Sequence, residues 1–444
     1  MPDFFAAFAL GFKDLWGLPT GVAHSIAYYS GKLLALGASR PAFVSPVCLC
    51  KSDPMTTSAA FNPVFARQGT TIFTVMSGLA TEHKAVNLGQ GFPDIDGPES
   101  VRAVAAKVLM EGPNQYPPMP GVPELRRALS AHAKRFYGLD YDWQDEVLVT
   151  SGGTEALTAG IMGLAGPGDE VVLIEPAYDS YRPIAEAAGA TVKTITLAPP
   201  DFRLTHAMLA AAITPRTKLV MINTPLNPIG RVFDAEEMEA IARAVRESNA
   251  YVICDEVYEH LTYDGRPHIS LASLPQMRER VVRVGSAGKI FSLTGWKVGW
   301  LTGPREMISV IAKAHQFLTF TTPPSLQLGV AHGLTHEMES AMALAARLQS
   351  NRDLLAAGLR EIGFEVLPSE GTYFHTAGIS GLTNEKDRAF CERLVREAGV
   401  ALIPLSEFFS GPSRPDTYVR FAFCKQRSVI EDALARLKAH FKHG

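Results

Sequence analysis

Between two apolar stretches the chain reads VGSAGKIFSLTGWKVGW, from Val284 to Trp300, with Lys289 and Lys297 set among glycines and hydroxyls. Such a segment could cradle a nucleotide, or one lysine could itself be the reagent. A nucleotide loop requires G-x-x-x-x-G-K followed by Ser or Thr, because that hydroxyl reaches the magnesium ion beside the phosphates. Here Gly288-Lys289 is followed by Ile290, and Arg283 stands where the first glycine belongs. The nucleotide reading fails twice. What remains is a lysine just past Val281, Val282 and Val284, with Ser286 and Ser292 as hydroxyls and Lys297 as a second cation.

Other stretches offer complementary chemistry. SGGTEAL puts Gly153 and Thr154 at a helix start, where free N–H groups and the helix dipole suit a phosphate; a tight turn with an N-cap would read the same way. EPAYDSY offers Tyr178, which could cover a flat ring or simply belong to the core. NTPLNPIG offers the amides Asn223 and Asn227 in a proline-rich loop that is also good turn chemistry. CDEVYEH sets Asp255 directly after YVIC, so its carboxylate emerges from a buried strand, where unpaired carboxylates are rare.

The elements that must position these residues alternate between strand and helix. PELRRALSAHAKRFYG puts Leu125, Ala128, Leu129, Ala133 and Phe136 on one helical face and ends at Gly138. EVLVTSGGTEALTAGIMGLAGPGDEVVLIEP reads as strand, glycine turn, helix, break and strand. KLVMINTP and YVICDEV are further strands, and DAEEMEAIARAVRES is a helix whose Asp234 and Glu237 have capping-box spacing. The repetition predicts an α/β fold with a largely parallel sheet between helices. Sites in such sheets gather at the carboxyl ends of the strands. Five segments fall there: Thr150 to Thr154, Glu175 to Tyr181, Asn223 to Gly230, Asp255 to Tyr258 and Ser286 to Lys289.

Composition bounds the partners. The chain has 444 residues, 47% hydrophobic and 20% charged, with a net charge of −3. This describes a globular protein of more than one domain with no basic excess for nucleic acid. Cys48, Cys50, Cys254, Cys391 and Cys424 form neither a metal-ligand spacing nor an even disulfide framework, so plain thiols in the reducing cytoplasm are expected, and no metal. FFAAFALGF is too short to span a membrane, and Asp3 stands where a secretory signal would carry positive charge. Residues 1–54 read as a weakly ordered extension or an upstream start ahead of Met55; the alternative is an uncommon targeting segment.

An amine, a buried carboxylate, amide and phenol donors, a stacking aromatic and a phosphate cup together fit pyridoxal 5′-phosphate. At these residues the chain resembles the fold type I aminotransferases, in the branch that holds the kynurenine aminotransferases, glutamine transaminase K and the bacterial methionine aminotransferases. The resemblance rests on TTIFTVMSGLA, NLGQGFPD, NQYPPMPGVPELR, EVLVTSGGTEAL, NTPLNPIG, CDEVYEHLTYDG, GSAGKIFSLTGWKVGW, AHQFLTFTTPP and YVRFAFCK, in family order from about Thr70 to the C-terminus.

The resemblance implies a role for each residue. Lys289 would bind the cofactor aldehyde as an aldimine and later shuttle the substrate proton, which calls for a pKa below the ~10.4 of free lysine. Asp255 would pair with the pyridinium nitrogen, Asn227 and Tyr258 with the phenolate oxygen, and Tyr178 would stack on the ring. Gly153, Thr154, Ser286 and Lys297 would hold the phosphate. Many relatives carry arginine where this chain has Lys297, and threonine where it has Ile290, which removes a hydroxyl near the loop. Tyr116 would reach the phosphate of a neighbouring subunit, which implies a homodimer. Arg420 and Gly91 would hold the substrate carboxylate, and Phe73, Tyr178 and Phe320, the last from the partner, would line the side-chain pocket.

By the same resemblance, residues 97–324 would form a large cofactor-binding domain, and residues 59–96 with 325–444 a small α/β domain, after an extension over 1–58. The implied activity is transfer of an amino group from an L-amino acid to a 2-oxo acid. A carbon–sulfur β-lyase on the same fold is the alternative. A regulatory aminotransferase-like domain would need a basic DNA-binding module ahead of it, and residues 1–58 carry only Lys13, Lys32, Arg40 and Lys51 as basic groups.

Overall fold

The structure, a computed structural model, describes residues 61–412 and 414–442, so the expected extension and the Cys48–Cys50 pair lie outside the described residues. A short strand, β1 (Val86–Asn87), comes first. Apolar runs bounded by turns then form β2 (Val147–Thr150), β3 (Glu170–Glu175), β4 (Thr191–Thr196), β5 (Thr217–Asn223), β6 (Tyr251–Asp255), β7 (Val281–Ser286) and β8 (Gly299–Thr302). These seven make one sheet in the order β2-β8-β7-β6-β5-β3-β4. Strand β8 runs antiparallel to β2 and β7, and the other pairings are parallel.

Both faces of this sheet are covered, which is why its inner strands are apolar throughout rather than alternating. Along β5, Leu219 and Met221 join one core cluster with Leu157 and Ile161 of the helix Gly152–Leu164 and Ile311 of the helix Arg305–Leu318. Val220 and Ile222 join the other, with Leu125 and Leu129 of the helix Pro123–Tyr137 and Met238 and Ile241 of the helix Ala235–Arg246. The first of those latter helices ends at Gly138, whose φ of 70° is the left-handed cap the sequence predicts. The second begins with the expected capping box between Asp234 and Glu237.

The C-terminal part forms β9 (Glu365–Val366), β10 (Phe374–Gly378), β11 (Val400–Ala401), β12 (Ile403–Pro404) and β13 (Tyr418–Ala422). Four of these make an antiparallel sheet in the order β12-β13-β10-β9, while β11 pairs in parallel with β1. The stitching continues past β1. Leu88 N–H donates to Ala401 O at 3.0 Å, and Ala422 N–H donates to Leu88 O at 2.6 Å. The Gly89–Gly91 loop that follows is thereby held beside β13, which carries Arg420. Among the described residues no helix is long and apolar enough to cross a membrane, and Cys254, Cys391 and Cys424 are buried free thiols.

Candidate active site

All five segments at the predicted strand ends reach one cavity of about 240 Å³. Gly152, Gly153 and Thr154 open the helix after β2; Tyr178 follows β3; Asn223 closes β5 and Asn227 lies in the loop beyond. Asp255 is the last residue of β6 with Tyr258 just past it, Ser286 is the last of β7, and Lys289 and Lys297 sit on the connection to β8.

One end of the cavity is a backbone cradle. Gly152 has a φ of +80°, and a Cβ added to Gly299 at the start of β8 would lie 2.4 Å from the Gly152 carbonyl carbon. Only glycine at 299 lets the strand come so close to the first turn of the helix. Ser151, at the N-cap, makes no capping bond with its side chain, whose hydroxyl meets Thr322 Oγ1 at 3.1 Å instead. The N–H groups of the first turn are thus not consumed by that cap. Lys297, itself at a φ of 53°, brings Nζ to 3.3 Å from where a Cβ on Gly152 would stand. Ile290 does not belong to this cradle: it is buried in the apolar core, so its lack of a hydroxyl takes no donor from the cavity lining.

At the opposite side Asp255 is buried. Its Oδ2 accepts from the Tyr181 hydroxyl at 2.5 Å, and burial lifts its pKa to about 6 against the pull of that bond. Asn223 braces the neighbourhood, donating to Asp255 O at 2.8 Å and accepting from the Asn227 N–H at 2.8 Å. Burial also pulls Lys289 down to about 8, which makes the neutral amine accessible near neutral pH. Lys289 Nζ donates to the hydroxyl of Tyr373 at 2.6 Å, and that hydroxyl donates to Gly91 O at 2.5 Å. Burial raises the phenol of Tyr258, so it stays protonated as a donor.

Arg420 is 1% exposed, and among the described residues no carboxylate forms an ion pair with it. One terminal nitrogen donates to Asn227 Oδ1 at 2.9 Å and the other to Gly89 O at 2.7 Å, while Nε has no partner. The rings of Phe374, Phe408 and Phe73 stand 3.9, 5.1 and 5.3 Å from its central carbon. Burial draws its pKa down to about 10. Asp179 is near enough to favour the charged form of Arg420 but makes no salt bridge with it, and a buried guanidinium with spare N–H groups and no carboxylate bonded to it is a receptor for an anion.

The profile of the aminotransferase class I and II family matches residues 83–437. The chain belongs to that family. It is 46% identical over 378 residues to a probable N-succinyldiaminopimelate aminotransferase of Mycobacterium tuberculosis, covering 83% of this chain and 95% of that one. It is 43% identical over 370 residues to the methionine aminotransferase of Escherichia coli, covering 83% and 96%. The solved Mycobacterium tuberculosis N-succinyldiaminopimelate aminotransferase superposes with a TM-score of 0.84 at 45% identity, covering 86% of this chain and all of that one.

The aminotransferase is therefore an enzyme whose cofactor is pyridoxal 5′-phosphate. The cavity lining fits that group: the glycine cradle with Lys297 suits the phosphate, Asp255 supplies a buried carboxylate, and Lys289 is depressed toward its neutral form. Of the residues singled out in the sequence, Phe73 lies beside Arg420, and Gly91 is reached through Tyr373. Tyr116 and Phe320 line no part of their own chain's cavity; they are exposed and stand edge to face at 5.4 Å.

Sequence reasoning did not select Tyr181, Tyr373, Phe374 or Phe408. Tyr181 carried one usable signal, as the second tyrosine of EPAYDSY on a helix start. The other three look like ordinary core aromatics until the register of β10 against β13 is known.

Proposed function

We propose that this aminotransferase takes its amino group from medium to large apolar, aromatic or sulfur-containing L-amino acids and passes it to a 2-oxo acid. The observation that carries the reading is Arg420, a buried cation with spare N–H groups, walled by phenyl rings and with no carboxylate bonded to it. It would take the α-carboxylate common to all amino acids, aided by the Gly91 backbone. Preference must then come from the walls, Phe73 and Tyr178 with Phe320 of a second subunit. A side-chain carboxylate placed against them would be stranded without a partner, at a cost of several kcal/mol.

When bound, the cofactor supplies an electrophilic aldehyde and a ring that takes up the electron pair left on the substrate's Cα. The chain supplies the rest. Lys289 would hold the cofactor through its amine and, once that amine is free, would take up the proton from the substrate's Cα. Asp255, whose ionised form the Tyr181 hydroxyl favours, would hold a proton on the ring nitrogen. Asn227, whose Oδ1 is occupied by Arg420, is left with Nδ2 to donate to the ring oxygen together with Tyr258. Gly153, Thr154, Ser286 and Lys297 bind the phosphate, and Tyr178 covers the ring. Two copies would share their sites, each lending Tyr116 and Phe320 to the other, which accounts for two aromatic side chains exposed away from their own cavity.

The test is a panel of amino donors against one 2-oxo acid: methionine, phenylalanine, glutamine, kynurenine, aspartate and N-succinyl-diaminopimelate. Methionine should exceed aspartate at least tenfold in kcat/KM. An aspartate value equal or higher would reveal a second cation in the pocket. Dominance of the N-succinyl donor would assign this chain the substrate in its Mycobacterium relative's name. Borohydride reduction of the yellow enzyme should leave the pyridoxyl group on Lys289, and a label on Lys297 would reject the assignment of roles.

A further inference from the structure

The amine of Lys289 is not loose in its cavity. It donates to the Tyr373 hydroxyl at 2.6 Å, and its Nζ lies 5.3 and 5.5 Å from the ring centres of Tyr373 and Tyr258, which meet edge to face. A phenol has one hydrogen, and Tyr373 directs it to Gly91 O at 2.5 Å, an atom that can only accept. The phenol oxygen is then left to accept from the lysine, so the direction of the whole chain of bonds is fixed.

Tyr373 itself has no freedom to swing. It is 1% exposed and follows Thr372, whose φ of 65° is a rare conformation for a β-branched residue. That turn is held from several sides: Thr372 N–H donates to Leu261 O at 2.9 Å, Thr372 O accepts from the Tyr263 hydroxyl, and Thr372 Oγ1 accepts from Phe374 N–H at 3.1 Å. Gly91 meets the same pair of rings so closely that an added Cβ would stand 2.4 Å from Phe374 and 2.9 Å from Tyr373. Strain held in place by surrounding bonds, beside a residue that bonds a lysine of the cavity lining, points to function rather than to packing alone.

We propose that Tyr373 is a positioning residue that takes hold of the Lys289 amine whenever that amine is not bonded to the cofactor, and ties it to the Gly89–Gly91 loop. The inference rests on the reading that Lys289 carries the cofactor. Once free, Lys289 would collect the Cα proton: the Cα–H bond breaks, an N–H bond forms on Lys289, and the electron pair is left on Cα for the cofactor ring to take up. An N–H directed to Tyr373 fixes one direction of the amine and leaves its lone pair free to accept the Cα proton. Because the same hydroxyl bonds Gly91, the amine is parked best when the carboxylate-binding loop is in place.

Removing the one hydroxyl, in Tyr373→Phe, tests this in two ways. In the full chain freed of cofactor, formaldehyde and borohydride should methylate Lys289 several-fold faster at neutral pH than in the parent, with Lys297 unchanged as the internal control. In the loaded enzyme, single turnover with L-methionine should slow at least tenfold, and its α-deuterium isotope effect should rise as proton transfer becomes limiting. An unchanged labelling rate overturns the proposal whatever the activity, because a merely structural tyrosine would lower the melting temperature without releasing the lysine. If Tyr373→Phe does not fold, difluorotyrosine at 373, a poorer acceptor, should also speed labelling, and failure to do so is equally decisive. A parent that takes up no cofactor on Lys289 would sink the functional reading instead, while the labelling comparison would still stand.

Discussion

The carboxyl of Asp255 is lifted to about 6 by burial, against a usual value near 3.8, although Tyr181 and the Val257 N–H both favour its ionised form. A carboxyl whose folded pKa is raised stabilises the protein below its unfolded pKa, and that advantage is lost as pH climbs through the folded value. Without cofactor, therefore, Asp255→Asn should be the more stable protein above pH 6, by up to roughly 3 kcal/mol, and the gap should close as pH falls toward 4. Thermal melts of both apoproteins across that range check the sign. With cofactor the order reverses in function. Asp255→Ala should fold yet lose at least a hundredfold in kcat, about 3 kcal/mol of barrier, because an unprotonated ring is a poor electron sink. Activity within a few-fold of the parent would make this carboxylate structural.

At the level of elements, the close contact between β8 and the helix Gly152–Leu164 decides whether the phosphate cradle exists. Gly299→Ala would drive a methyl to 2.4 Å from the Gly152 backbone, and backbone cannot step aside. The expected result is a folded protein whose affinity for the cofactor falls at least tenfold by spectrophotometric titration; unchanged affinity would show that the helix start is not the cup. Contacts of this kind explain what could be read in advance. Lys289, Asp255, Asn227 and the Ser-Gly-Gly-Thr turn each sit at the end of an apolar run, so the residues around the cavity could be found by following strands to their ends. Of the aromatic wall of Arg420, only Phe73 is legible, through the family resemblance, and Phe374 and Phe408 are not. Phe374, Phe408 and Phe73 come from a strand, a short turn and a helix far apart in sequence, and each has the character of core. The pairing of Thr376 with Arg420 across β10 and β13 brings Phe374 to the arginine, while Phe408 and Phe73 arrive from a turn and a helix packed beside that sheet. Tyr373 was hidden for the same reason, since nothing in EGTYFH shows that its ring lies over a lysine 84 positions earlier.

Taken whole, the molecule balances charge in two different ways. Arg420 is left open for a ligand, whereas Arg283, equally buried, is closed by Glu256 at 2.6 Å and Glu259 at 2.9 Å and covered by the Tyr137 ring at 4.3 Å. The neighbouring imidazoles of His132 and His260 share a hydrogen bond of 2.7 Å, with burial drawing His132 down to about 4. Arg283→Met would strand two carboxylates and should cost ~3 kcal/mol or more, seen as a lower thermal midpoint. Adding Glu259→Gln in the same chain should restore part of the loss, and strict additivity of the two changes would mean that the groups do not interact.

The two arginines also differ in when they reach the fold. Every residue of the cradle, from Gly152 to Lys297, is made at least about 120 residues before Arg420, which at ~5–20 residues per second is a matter of several seconds or more. The central sheet is complete by Thr302, but the Gly89–Gly91 loop has no strand to lie against until β11 and β13 are made. During synthesis the chain's own residues of the cofactor cradle are thus made first and its grip on substrate last.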